Sequence, residues 1–340
     1  MEQQQSPLLS RVVKSLQYKS SFAGGKLRST LSERNELESD STKNKIFNLS
    51  KNSILVGRDE ESKKLQECMN RIIEQQSTEL VVIHGISGCG KSSLVQSFAR
   101  NLPPEALYVE GKFDQLQSHA PYSALVAASD QLCRQILNKN NCGEIRDRVR
   151  SVLGPEVNLL GNLIPKLLQI SEDNSDQVSI PNKEENMGKS FKRFKQLFRS
   201  FLRSVASSEN PLILFLDDIQ WADHASLDVL KSIITDSLAS NILIICAYRE
   251  GEISLDTLQE YSLADDMLQG DDAVSSTSSS SICVTRITDI FLDCLDVIQL
   301  NELISVKLDM ESSSTMSLSQ LVWNKTNGNP FYVLNFLETI

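Results

Sequence analysis

The sequence predicts an α/β fold, a parallel sheet with helices packed on both faces, and three observations predict it. Continuous apolar runs of the kind that form fully buried strands recur at Leu80–Ile83, Leu212–Leu216 and Ile242–Ala247. Segments with apolar residues at helical spacing alternate with these runs. The first run opens into residues 85–92, where Gly85, Gly90, Lys91 and Ser92 complete the pattern G-x-x-x-x-G-K-[ST], and a helix-like run, Ser93–Arg100, follows.

The elements follow in chain order. Residues 1–50 lack sustained periodicity and are rich in Ser, Lys, Glu and Asn. They read as a disordered leader with a short helix near Leu8–Leu16. Order is expected from Ile54, followed by a helix with Leu65, Met69, Ile72 and Ile73 on one face. The first strand leads through the loop to a helix over about Lys91–Arg100, stopped by Pro103 and Pro104. A second strand is expected at Ala106–Glu110, leading into Gly111 and Lys112, and then a helix over Ser123–Leu137. Residues 143–170 carry Leu and Ile at helical spacing, broken by Pro155 and Pro165, and residues 171–189 form a polar linker. The next helix, about Lys189–Ser207, aligns Phe191, Phe194, Leu197, Phe198, Phe201 and Leu202 in a stripe suited to core packing. The third strand ends at Asp217 and Asp218, with a helix at Ala225–Leu238. The fourth strand precedes Tyr248 and Arg249. Residues 262–281 are acidic and serine-rich, a surface loop. A fifth strand fits Val284–Leu292, followed by helices at Leu295–Leu308, at Leu318–Thr326 and from Phe331.

The residue types around the loop point to phosphate chemistry. A triphosphate packs several negative charges into a small volume. Backbone N–H groups surround it only where the chain turns tightly, as Gly85, Gly88 and Gly90 permit. The helix that follows offers its N-terminal amides and positive dipole end. Lys91 is the residue expected to reach the β- and γ-phosphates, and the Ser92 hydroxyl is expected to ligate Mg²⁺. Asp217 and Asp218 sit where a buried strand leaves the sheet, the edge at which such sheets bind ligands. Asp217 suits the metal. Asp218 suits the water, as a base or orienting group. Arg249 ends the next strand at the same edge and suits the γ-phosphate, the alternative being a surface arginine paired with Glu250. Cys89 lies beside a helix N-terminus, a position that lowers a thiol pKa, although a small residue tolerated in the loop is the simpler explanation. His84 suits a packed, hydrogen-bonded role. His119 and His224 have no metal-like partners, and no zinc site is expected.

Composition bounds the class. The chain has 340 residues, 40% of them hydrophobic, which is length for two or three domains and material for a real core. A net charge of -10 argues against nucleic-acid binding driven by bulk electrostatics. Seven cysteines without framework spacing suggest free thiols in a reducing, intracellular compartment. No run approaches the roughly 18 apolar residues of a membrane span.

Several segments together resemble the AAA+/STAND family of P-loop ATPases, in particular the origin-recognition-like group. They are Val56–Glu61, Gly85–Ser92, Gly111–Asp114 with Pro121 and Tyr122, Leu212–Asp223, Ala247–Arg249 and Asn327–Phe331. The resemblance covers about residues 54–340, and Asp217–Asp223 (DDIQWAD) is its most specific part. It implies a five-stranded sheet in the order 5-1-4-3-2 followed by a small helical lid. The implied division is a leader over 1–50, an ATPase core over 51–293 with a helical insertion at about 112–210, and a lid over 294–340. It also implies an ATP/ADP and Mg²⁺ site. Val56, Gly57 and Pro330 would line the adenine, and Ser87, Gly88, Cys89, Gly90 and Ser93 would join Gly85, Lys91 and Ser92 around the phosphates. A second acid shorter than the Glu of AAA+ motors, and no inter-subunit arginine finger, suit a slow switch. Such switches belong to larger regulatory proteins, so partners are expected among further domains of a longer chain or separate proteins. A non-hydrolysing nucleotide scaffold and an origin-recognition-type DNA-binding ATPase are the alternatives.

Overall fold

The computed structural model describes residues 55–115, 121–139, 142–171, 187–252 and 286–339. The leader, most of the linker at 171–189 and the loop at 262–281 lie outside the described residues. By contacts the chain divides into two compact units. One comprises residues 60–87 and 98–292, the other the described parts of 1–59, 88–97 and 293–340.

The first of these units is the sheet unit. Its strands are β1 (Thr78–Gly85), β2 (Leu107–Lys112), β3 (Leu212–Asp217), β4 (Ile242–Arg249) and β5 (Arg286–Phe291). All pair in parallel, in the order β2-β3-β4-β1-β5, the order expected read from the other edge. The three inner strands are buried along almost their whole length, because helices cover both faces, while β2 alternates buried and exposed residues as an edge strand should. Two strands run further than their apolar cores suggest. β2 extends to Lys112 and β4 to Arg249, because Lys112 pairs with Asp217 and Arg249 with Gly85 in register. Both additions carry a charged side chain to the C-terminal edge.

Helix α1 (Asp59–Glu74) precedes β1, and α2 (Lys91–Arg100) follows its loop. Between β2 and β3 lie α3 (Ser123–Asn138), α4 (Cys142–Leu153), α5 (Val157–Gly161), α6 (Pro165–Ser171) and α7 (Met187–Val205). Pro165 begins a helix rather than merely breaking one, as its fixed φ and missing N–H allow at a first turn. The phenylalanine stripe of α7 is core: Phe198 and Phe201 are fully buried, and the Phe194 ring packs at a tilt 4.6 Å from the Tyr122 ring. Helix α8 (His224–Ile234) is capped by Asp223, whose carboxylate accepts the Ser226 N–H. It stops four residues before Leu238, where Asp236 instead accepts the Leu238 N–H and pairs with Arg203.

The second unit contains α9 (Val297–Leu308), α10 (Ser312–Thr326) and α11 (Pro330–Glu338). Its core joins Val56 to Leu295, Leu300, Leu303, Ile304, Leu318, Val322 and Val333. Asp296 and Gln299 form a capping box on α9. Helix α10 starts at Ser312, six residues before the apolar pattern begins. There Asn301 accepts from the Thr315 and Ser319 hydroxyls, a buried polar contact that apolar periodicity does not register.

Candidate functional site

In the second unit, residues 88–93 carry the later half of the glycine loop. Gly88 (φ 83°) and Gly90 (φ 103°) both adopt conformations that strain any other residue. A Cβ on Gly88 would lie 2.7 Å from Asn329 Oδ1, whereas Gly90 faces open space, so one wall is packed and the other left clear. That combination fits a phosphate cradle. The Gly88 carbonyl accepts the Phe331 N–H at 3.3 Å, next to Pro330 at the first turn of α11, and Asn329 caps that helix. Lys91 is buried and Ser92 half-buried at the start of α2, with Ser93 exposed beside them. Arg58 is also buried; one of its guanidinium nitrogens donates to the Cys89 carbonyl at 3.2 Å and to the Asp293 carbonyl. In a trans peptide the N–H points opposite the carbonyl. Arg58 therefore turns the Gly90 N–H away from itself. Val56 is buried, and the Gly57 carbonyl accepts from Gln299 at 3.3 Å.

Of the two readings of Cys89, the lowered thiol pKa is the one that fails. Its thiol is pushed up, because burial outweighs the opposing charges of Lys91 and Arg58. It is a small, buried residue of the loop.

In the sheet unit, Gly85 ends β1 at φ 154°, in register with Arg249, and accepts the Glu250 N–H; Ser87 is exposed two residues on. Asp217 and Asp218 are buried at the end of β3. The Asp217 Oδ1 accepts the Asp218 N–H at 3.0 Å. Asp218 sits in the left-handed region (φ 54°), uncommon for a non-glycine residue. Its carboxylate is held on every side. Gln220 donates to it at 2.9 Å and Arg249 Nε at 3.3 Å, while Lys112 Nζ lies at 3.1 Å. Burial alone would raise the Asp218 pKa, but the hydrogen bonds from Gln220 and Lys112 and the charge of Arg249 leave it lowered. Lys112 Nζ also reaches Asp217 Oδ2 at 3.5 Å. Arg249 is not paired with Glu250. It pairs with Asp218 and with Glu252 at 3.8 Å, and its guanidinium lies 4.6 Å over the Trp221 ring. His84 stacks on Tyr248 and lies 3.3 Å from Asp289, as a packed histidine should.

Sequence reasoning did not assign roles to Arg58, Lys112, Gln220, Trp221 or Gln299. Lys112 gave no local signal: it closes the strand beside β3, and only the strand pairing puts it in register with Asp217.

Residues 54–245, more than half the chain, match the sequence profile described as the AAA ATPase domain. The chain belongs to the AAA ATPase domain family. Membership in this ATPase family implies nucleotide binding, usually together with Mg²⁺. The curated relatives of this AAA ATPase domain include hybrid signal transduction histidine kinase G of Dictyostelium discoideum, 26% identical over 79% of this chain and 9% of the relative. Another is the peroxide stress-activated histidine kinase mak2 of Schizosaccharomyces pombe, 23% identical over 78% of this chain and 11% of the relative. The chain thus spans about a tenth of the length of each. Among solved structures, it is similar to a Walker-type ATPase of Pyrococcus abyssi (16% identity, 84% of this chain and 67% of that one, TM-score 0.35). It is also similar to a STAND protein with a tetratricopeptide-repeat sensor from Pyrococcus horikoshii (16% identity, 82% and 29%, TM-score 0.37). Among the described residues, no helix is long and apolar enough to cross a membrane.

Proposed function

We propose that this AAA ATPase domain is an ATP-binding, slowly hydrolysing switch of the STAND type that governs signalling domains of a larger protein. The observation that carries the nucleotide reading is the loop between β1 and α2, with positive φ at Gly85, Gly88 and Gly90 and a buried Lys91. The amides from Gly85 to Ser93, including those of Ser87 and Cys89, would surround the phosphates, and Lys91 would neutralise them. Val56, Gly57 and Pro330 would line the adenine. Ser92 and Asp217 would hold Mg²⁺, which supplies charge stabilisation to the phosphate oxygens when bound. Asp218 would align the attacking water and Arg249 would pair with the γ-phosphate.

Slow turnover is supported by the Asp218 carboxylate itself. An acid with three donors and a lowered pKa accepts a proton poorly. The same saturation favours a second reading, a scaffold that binds nucleotide without hydrolysing it. The signalling output rests on the histidine kinase relatives. The division into leader, core, insertion and lid, and an intracellular setting, belong to the same proposal.

Equilibrium ATP binding and single-turnover hydrolysis by the purified chain test these readings. Lys91→Ala should abolish binding. Asp217→Ala should remove the Mg²⁺ dependence, and activity retained in that variant would sink the metal assignment. Asp218→Asn should bind ATP normally and lose about 10²-fold in rate; no phosphate release from the parent chain would favour the scaffold.

A further inference from the structure

The acid pair at the end of β3 has its own cation. Lys112 and Asp217 are register partners on adjacent parallel strands, so their side chains leave the same face of the sheet. The Lys112 ammonium lies 3.1 Å from Asp218 and 3.5 Å from Asp217, bridging both carboxylates. The two ends of this bridge differ in exposure. The side chains of Asp217 and Asp218 are 11% and 8% exposed, while that of Lys112 is 66% exposed. The lysine therefore reaches the acids from the solvent side on a flexible stem, with water available to receive it if it lets go. Gln220 and Arg249 hold the other oxygen of Asp218. That carboxylate therefore keeps its place whether or not Lys112 stays. Asp217 Oδ1 accepts the Asp218 N–H, and Oδ2 is the oxygen that faces Lys112.

We propose that Lys112 is a positioning residue that neutralises Asp217 and Asp218 and competes with the divalent cation of the nucleotide for Asp217. This rests on the nucleotide reading above. A divalent ion bound at Asp217 meets the ammonium as a like charge, and two such charges a few ångströms apart repel strongly where water is partly excluded. One must yield, and the exposed lysine yields to solvent. The acid pair then exchanges one cation for another without ever standing uncompensated, and the lysine sets how much metal-nucleotide is needed to fill the site. A lysine suits this role better than an arginine fork: its ammonium is a point charge with rotatable donors, strongly hydrated when released.

The test uses Mn²⁺ as a spectroscopic stand-in. The full chain is saturated with ADP and titrated with Mn²⁺, with free ion followed by electron paramagnetic resonance. ADP binding itself is measured separately by calorimetry. Lys112→Gln should bind Mn²⁺ about tenfold more tightly, equivalent to about 1.4 kcal/mol. Lys112→Arg keeps the charge and should stay within about threefold of the parent, and Asp217→Asn should lose the tight site. Unchanged or weaker Mn²⁺ binding in Lys112→Gln, with ADP still bound, overturns the competition. Failure of the parent chain to bind ADP overturns the nucleotide reading and this proposal with it.

Discussion

Two ionic clusters stand at opposite ends of the same parallel sheet, and they are built differently. At the N-terminal end, Arg71 from the last turn of α1 meets Glu79 of β1 in a two-pronged pair, Nε to Oε1 at 2.9 Å and Nη2 to Oε2 at 2.8 Å. The Glu79 side chain is 2% exposed, and the same Nη2 also contacts Cys68 Sγ at 3.1 Å. At the C-terminal end, two acids share a lysine that is mostly in water and an arginine stacked on Trp221. The first cluster matches one planar fork to one carboxylate and fixes α1 against β1. The second spreads two negative charges over exchangeable donors. The lesson is that charge count alone does not separate a strut from a site. Fork geometry and the exposure of the cation do.

The largest expected effect comes from breaking the strut. Arg71→Ala leaves Glu79 buried without its partner, and such a loss costs about 3–5 kcal/mol. Lys112→Gln, in contrast, removes a solvent-reached donor and should change stability by less than about 1 kcal/mol. Urea unfolding of the two variants checks this, and equal losses would erase the distinction drawn between the clusters. A smaller effect is expected from the backbone that delivers Lys112. Gly111 lies where a Cβ would sit 2.4 Å from the Ala124 carbonyl oxygen, which is backbone of α3 and cannot swing aside. Gly111→Ala should cost about 1–3 kcal/mol through this overpacking. It should also disturb Mn²⁺ binding by shifting the neighbouring lysine, whereas Arg71→Ala should leave metal affinity in the surviving folded fraction alone.

The two clusters also differ in how far the sequence reveals them. The buried strands β1, β3 and β4 declare themselves as apolar runs, and Gly85–Ser92 declares its chemistry because glycine spacing, lysine and serine are a local pattern. Asp217 and Asp218 are legible for the same reason: both lie next to the run that buries them. Lys112 is not, since its meaning comes from register with a residue about a hundred positions away. Arg249 is legible as a strand-end arginine, but its partners are not. Glu250 is adjacent in sequence, yet Asp218 and Glu252 are adjacent in space. Cys89 stays ambiguous in the sequence for a related reason. The helix N-terminus that would favour a thiolate is local, while the burial that opposes it comes from packing.

The smallest expected effect is on acid stability, and it separates the clusters once more. The Asp218 pKa in the folded chain lies below its unfolded value of about 3.9, so the unfolded chain binds that proton more tightly. The stabilisation is therefore complete above about pH 4 and is lost as the pH falls through the lower, folded value. Asp218→Asn has no such proton to bind, and its stability should fall less steeply than the parent's as the pH drops below about 4. Arg71 behaves otherwise. Its pKa is raised, chiefly by the hydrogen bond to Glu79, so its own charge is constant throughout this range. Denaturant midpoints for both chains across that window give the comparison. Parallel curves would mean that the cations around Asp218 contribute nothing to folding. A flatter curve for Asp218→Asn would show that the acid pair is held by charge even before any nucleotide is added.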